Sequence, residues 1–176
     1  MLERSKSRRD AVKTNPSTIR LQLGGRLEDR NVALEAVAEA CKLVTPDPRG
    51  PAWTRFRSQV LSAIGEGFNN VVLHGKVQRK DGSIDLRIRT RRGQIRIELR
   101  DWGPGFDPKA VRPPVIETLP ESGLGLHIMQ SFMEMSYRTG SPNLLTLSKR
   151  FEERQSAARG KKRDVRVTAP ARAVGT

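Results

Sequence analysis

Three short stretches in a fixed order constrain this chain more than any other feature. Glu66-Gly67-Phe68-Asn69-Asn70 lies on a helical pattern, Asp101-Trp102-Gly103-Pro104-Gly105 ends a strand pattern, and Gly123-Leu124-Gly125-Leu126-His127-Ile128 opens another helix. The apolar residues set the periods. Phe56, Val60, Leu61, Ile64, Phe68 and Val71 form a stripe at helical spacing between about Trp53 and His74. Ile84, Leu86 and Ile88 alternate, Arg91-Arg92-Gly93 turn, and Ile95, Ile97 and Leu99 alternate again into Asp101, which predicts a hairpin.

The rest of the chain completes one domain around these elements. Ile19, Leu21 and Leu23 alternate and suit a strand over residues 17–23, which Gly24-Gly25 breaks. From Arg26 to Val44 the apolar residues keep helical spacing, and Pro46 and Pro48 stop that helix, because proline lacks a backbone donor and restricts its predecessor. Residues 102–122 are rich in Gly and Pro and form a long loop, of a length usually found in functional lids or disordered segments. A helix carrying Leu126, Met129, Phe132 and Met133 follows Ser122, and a last strand runs from about Leu144 to Phe151. The expected architecture is α+β: a two-layer sandwich whose mixed or antiparallel sheet is covered on one face by about three helices.

Charge is informative once it is located. The net charge is +14, but residues 1–20 contribute +4, residues 154–176 contribute +6, and residues 21–153 only +4. The excess therefore predicts basic ends rather than a basic binding face, with a flexible arm over 1–16, a folded domain over 17–151 and a disordered tail over 152–176. Any nucleic-acid contact is expected to be non-specific and made through those ends. The single Cys41 shares a helix face with Ala33, Val37 and Ala40, so it reads as a core thiol in a reducing compartment. There is no run of 18 apolar residues and no apolar leader, so the expectation is a soluble cytoplasmic protein without membrane contact.

The three stretches carry chemistry. Glu66 and Asn70 stand one helical turn apart, with His74 a turn further, on a line away from the apolar stripe. A carboxylate and a carboxamide oxygen so placed suit Mg²⁺, which needs few protein ligands when phosphates and waters supply the others. Taken alone, these residues read more simply as a solvated helix face. Gly65 and Gly67 each cost the helix about 1 kcal/mol relative to Ala, so something bulky is expected to approach this turn. Asp101 sits where its strand neighbours are buried and so needs a donor, for which an adenine amine qualifies; a turn aspartate is the plainer alternative. Gly103 and Gly105 would let the backbone approach a flat ring. Ser122-Gly123-Leu124-Gly125 precedes a helix, where free backbone amides bind anions, although a plain N-cap has the same look. The pattern is neither the dinucleotide fingerprint nor a P-loop.

Taken together, Glu-x-x-x-Asn, Asp-x-Gly-x-Gly-Phe and Gly-x-Gly-Leu-x-Ile resemble the N, G1 and G2 boxes of the GHKL ATPase superfamily, the histidine-kinase-like ATPases. EGFNNVVLHG, RDWGPGFDP and SGLGLHIMQSFMEMSYRTGSPN are similar to one branch, the small anti-sigma-factor serine/threonine kinases, over residues 17–151. The resemblance implies ATP and Mg²⁺ as cofactors, Glu66 as catalytic base and Asn70 as the Mg²⁺ ligand. It implies Asp101 on the adenine amine with Gly103 and Gly105 shaping that pocket. Ser122, Gly123, Leu124, Gly125 and Leu126 would hold the phosphates under the 106–121 loop, with His74 and Gly75 closing the N-box helix. The implied reaction moves the γ-phosphoryl group to a serine of an anti-anti-sigma (STAS-type) partner, in a protein that also sequesters a sigma factor, often as a homodimer.

The chain departs from that pattern in two places. Pro120-Glu121-Ser122 stand where such kinases often carry a basic residue, leaving Arg112 in the loop to substitute. The usual Gly-Thr before the last strand is absent from SPNLLTLSK. The rival expectation is thus a nucleotide-binding regulator that acts by partner binding with weak turnover. A detached histidine-kinase domain is disfavoured, since His74 and His127 both lie in nucleotide motifs.

Overall fold

The computed structural model describes residues 16–45, 47–74, 82–105, 107 and 124–152. Residues 1–15 of the expected arm, 153–176 of the expected tail, Gly75, Arg112, Ser122, Gly123 and most of the long loop lie outside them. The elements run β1 (Ser17–Leu23), α1 (Asp29–Lys42), α2 (Gly50–His74), β2 (Ile84–Arg91), β3 (Gln94–Asp101), α3 (Leu124–Phe132), β4 (Glu134–Arg138) and β5 (Asn143–Arg150). The α+β expectation holds, and the choice between mixed and antiparallel is decided. The five strands are ordered β1-β2-β3-β5-β4, and every neighbouring pair is antiparallel.

Local sequence accounts for most boundaries. The helix expected from Arg26 begins at Asp29, because the Arg26 amide instead donates to Asp29 Oδ2 at 3.1 Å and Arg26–Glu28 form the entry turn. Asp29 in the first turn and Lys42 in the last both suit the helix dipole. In the β2–β3 hairpin, Arg91 pairs with Gln94, so the turn narrows to Arg92-Gly93 with Gly93 at φ 75°. That turn is pinned at both sides, since Gly93 N donates to Val44 O and Phe151 N donates to Gly93 O. Strand β4 was not anticipated. Its EMSYR sequence continues a helical apolar pattern, and only pairing with β5 makes it a strand.

The core lies between the helices and one face of the sheet. Ile84, Leu86 and Ile88 of β2, Ile95, Ile97 and Leu99 of β3, and Leu145 and Leu147 of β5 meet Trp53, Phe56, Val60, Ile64 and Phe68 of α2. Side chains of this size buried to within a few per cent contribute about 1.5–3 kcal/mol each. Cys41 is completely buried, as expected, and that burial pushes its thiol up to about 12, with Arg57 pulling weakly the other way. The opposite face of the sheet corrects an expectation. The folded part has a small net charge, yet Arg20, Arg87, Arg89, Arg96 and Arg100 all project from that face by strand alternation.

Candidate nucleotide-binding site

The chain leaves the sheet at the end of β3 and returns at the start of β5, so Asp101 and Asn143 form the last rung between them. Both lie on the helix-covered face and are buried, to 4% and 1% exposure. Asn143 Nδ2 donates to Asp101 Oδ1 and to the Gly103 carbonyl, each at 2.9 Å, while its own Oδ1 accepts from Gly140 N at 3.1 Å. Gly103 N donates to Asp101 Oδ1 at 2.9 Å. One carboxamide thus ties the strand end, the Gly103 turn and the β4–β5 turn together. Both donors to Asp101 fall on Oδ1, so among the described residues no donor reaches Oδ2.

Gly105 belongs to this clamp. Its φ is +73°, and an added Cβ would lie 2.5 Å from Thr139 Cγ2 and 2.9 Å from Asn143 Oδ1. Its close approach is therefore to the protein itself, where a flat ring had been expected. The two glycines of α2 do meet something bulky, as expected, and it too is protein. A Cβ on Gly65 would stand 2.7 Å from Arg30 Nη2, and one on Gly67 would stand 3.0 Å from Leu145 Cδ2 and 3.5 Å from Leu99 Cδ1. The bulky neighbours are α1 and the sheet. Gly67 thereby seats α2 on the Leu99–Leu145 rung, the nearest same-face rung to Asp101–Asn143.

The third stretch closes on the first. A Cβ on Gly125, in the first turn of α3, would lie 2.8 Å from Glu66 Oε2 and 3.6 Å from Asn70 Oδ1. Two side-chain oxygens on neighbouring turns of α2 therefore converge on the N-terminal turn of α3, where backbone amides have no intrahelical acceptor. Glu66 and Asn70 are both half-buried. Leu126 has its side chain in the core, leaving only its backbone to face an anion, and Leu124 is 47% exposed. The side chain of His74 lies outside the described residues, as do Ser122 and Gly123.

The donor set is one carboxylate and one carboxamide oxygen, and among the described residues no cluster of three His, Cys, Asp or Glu side chains exists. Such a pair fits a hard cation that keeps most of its waters and phosphate ligands, and does not fit a fully protein-ligated metal. Residues 27–149 match the family of the histidine kinase-like ATPase domain. The chain belongs to that family. It is 30% identical over 111 residues to an anti-sigma F factor of Clostridium botulinum, covering 61% of this chain and 75% of that one. It is 32% identical over 100 residues to the serine/threonine-protein kinase BtrW of Bordetella bronchiseptica, covering 53% of this chain and 70% of that one. A histidine kinase domain from Erythrobacter litoralis aligns with a TM-score of 0.41 at 14% identity, over 69% of this chain and 61% of that chain.

Sequence reasoning missed Asn143. The available signal was the departure itself: SPN stands where the resemblance called for Gly-Thr, directly opposite Asp101 in the ladder. No described helix is long and apolar enough to cross a membrane.

Proposed function

We propose that residues 17–151 form an ATP-binding serine/threonine kinase unit that acts as an anti-sigma regulatory factor in the cytoplasm. On this reading it phosphorylates a serine of an anti-anti-sigma partner and sequesters a sigma factor, while residues 1–16 and 152–176 are basic appendages. The observation that carries the reading is the convergence of Glu66 and Asn70 on Gly125, on a helix whose Gly67 packs against the Leu99–Leu145 rung next to the buried Asp101. The names of the two relatives add support, an anti-sigma factor and a serine/threonine kinase.

In this reading Asp101 Oδ2 accepts from the adenine amine, with Gly103 and Gly105 keeping the strand end in shape. Asn70 Oδ1 would hold Mg²⁺, whose chemistry is to neutralise charge on the phosphate oxygens. The backbone amides of residues 122–126, at the positive end of α3, would take the phosphates. Glu66 removes the proton from the partner's serine hydroxyl as its oxygen attacks the γ-phosphorus; the bond to the bridging oxygen breaks and ADP leaves.

Calorimetric titration with ATP, with and without Mg²⁺, tests the site: micromolar, Mg²⁺-dependent binding is expected, and absence of binding removes the reading. A second reading, partner binding without turnover, draws on Glu121 standing where a cation is usual. Glu66→Ala separates the two, since it abolishes phosphate transfer on the first and leaves all measurable function intact on the second.

A further inference from the structure

The face of the sheet turned away from the helices has an organisation of its own. Glu98, at its centre, is 4% exposed and is ringed by four guanidiniums. Arg96 Nε and Arg89 Nη1 stand 3.3 and 3.5 Å from its Oε1, and Arg100 Nη2 and Arg87 Nη1 stand 3.5 and 3.8 Å from its Oε2. Arg20 adds a fifth guanidinium, directly across from Arg87 in the ladder, and Arg89 lies across from Arg96. Two carboxylates on the same strands and face, Asp85 and Glu98, stand against these five. Partial burial and the proximity of Arg20, Arg89 and Arg100 hold the Arg87 guanidinium below its usual basicity, with Glu98 opposing them. The side chains of Arg89, Arg96 and Arg100 are 46%, 49% and 36% exposed, so each still presents surface to solvent.

We propose that this face, built on Arg20, Arg87, Arg89, Arg96 and Arg100 around Glu98, is a docking surface for a carboxylate-rich segment of a protein partner. Charge sets the sign of the partner, and three features set its class. Guanidinium forks match carboxylates in pairs, and an extended segment repeats its side chains every second residue at the spacing of Arg87 and Arg89 along β2. Glu98 Oε2 is buried beneath Arg87 and Arg100, out of a partner's reach, so the partner meets the guanidiniums rather than the carboxylate. None of the strand residues on this face is aromatic, so the strands offer unpaired bases nothing to stack on. A second copy is disfavoured, because a two-fold contact would set this face against itself, arginine on arginine.

The test uses the full chain and a fluorescein-labelled, Glu/Asp-rich 16-residue peptide, read by anisotropy at two salt concentrations. The variants are Arg89→Ser and Arg96→Ser, singly and together, which leave Arg87 and Arg100 to neutralise Glu98. Arg8→Ser/Arg9→Ser serves as the control for the basic arm. Weakening of about tenfold in the double variant is expected, shrinking at high salt, with the arm variant near wild type. Thermal melting of each variant identifies any that fails to fold, and the singles keep the comparison available if the double does not. Equal binding by wild type and the face variants overturns the proposal. So does a larger loss for a duplex DNA of equal charge, for vesicles containing phosphatidylserine, or for self-association measured by sedimentation, each of which assigns the face to another occupant.

Discussion

Asp101→Asn is the sharpest perturbation this site offers, because the hydrogen bonds divide the two carboxylate oxygens by role. Gly103 N and Asn143 Nδ2 both donate to Oδ1, and an asparagine keeps that oxygen in place. Two charge-assisted bonds become neutral ones, while a buried charge no longer needs desolvating, so the net change in stability is about 1 kcal/mol or less. For a domain of this size that is a melting shift of about 3 °C. The other oxygen becomes an NH₂ group that repels the adenine amine instead of accepting from it. Loss of a hydrogen bond to a charged group costs about 1.5–3 kcal/mol, or roughly 10–150-fold in ATP affinity. Asn143→Ala is the contrasting control. It removes three hydrogen bonds at a residue 1% exposed and orphans the Gly103 carbonyl and Gly140 N–H. About 3 kcal/mol of destabilisation, near 10 °C, is expected there. Calorimetry with Mg²⁺ and ATP, paired with melting followed by circular dichroism, reads both quantities. An Asp101→Asn protein that binds ATP like wild type, or that melts as early as Asn143→Ala, would refute the division of labour between the oxygens.

Gly125→Ala brings a Cβ to within 2.8 Å of Glu66 Oε2, the free end of a flexible side chain, so it should leave melting unchanged or raised while lowering phosphate transfer at least tenfold. Gly67→Ala meets packed core atoms instead, at 3.0 Å from Leu145 Cδ2 and 3.4 Å from Met129 Sδ. Overpacking of about 1–3 kcal/mol against a helix-propensity gain of about 1 predicts a lower melting temperature, measured by calorimetry. Cys41 should resist thiol reagents at pH 8 in the native state and react at once in denaturant. Burial raises its folded pKa to about 12, above that of the unfolded thiol, so its stabilising contribution is complete below the unfolded pKa and is lost as pH rises through 12; urea titrations at increasing pH follow it.

The legible parts of the fold were those where local period and burial agree. The alternation of β2 and β3 and the stripe of α2 are each enforced by one buried face, and their elements appeared where expected. Strand β4 was hidden because Met133 and Met135 extend the apolar spacing of α3, and a short strand is made by its ladder rather than by its own sequence. The three stretches predicted which elements meet at Glu66, Asn70 and Gly125, but not what their glycines touch. A glycine announces a close approach without naming what approaches, and at 65, 67 and 105 the neighbour is protein. The arginine face was invisible to net charge for a related reason. Summing over the core mixes two faces that strand alternation separates.

Helix α2 links these findings. Successive residues turn by about 100°, so Gly65, Glu66 and Gly67 look in three directions, toward Arg30 of α1, Gly125 of α3 and the Leu99–Leu145 rung. Side-chain volume on two of those faces therefore fixes where the third one points. With glycine on both flanks, α2 settles close to α1 and to the sheet, which sets the position of Glu66 relative to Asp101 through packing rather than through any direct contact. The helix gives up about 2 kcal/mol of propensity at these two positions. That loss is sustained because a methyl group at position 67 would lift α2 from the sheet and carry Glu66 and Asn70 with it. Packing density in the core and geometry at the site are consequently one property of this helix, and substitutions at Gly67 should move both.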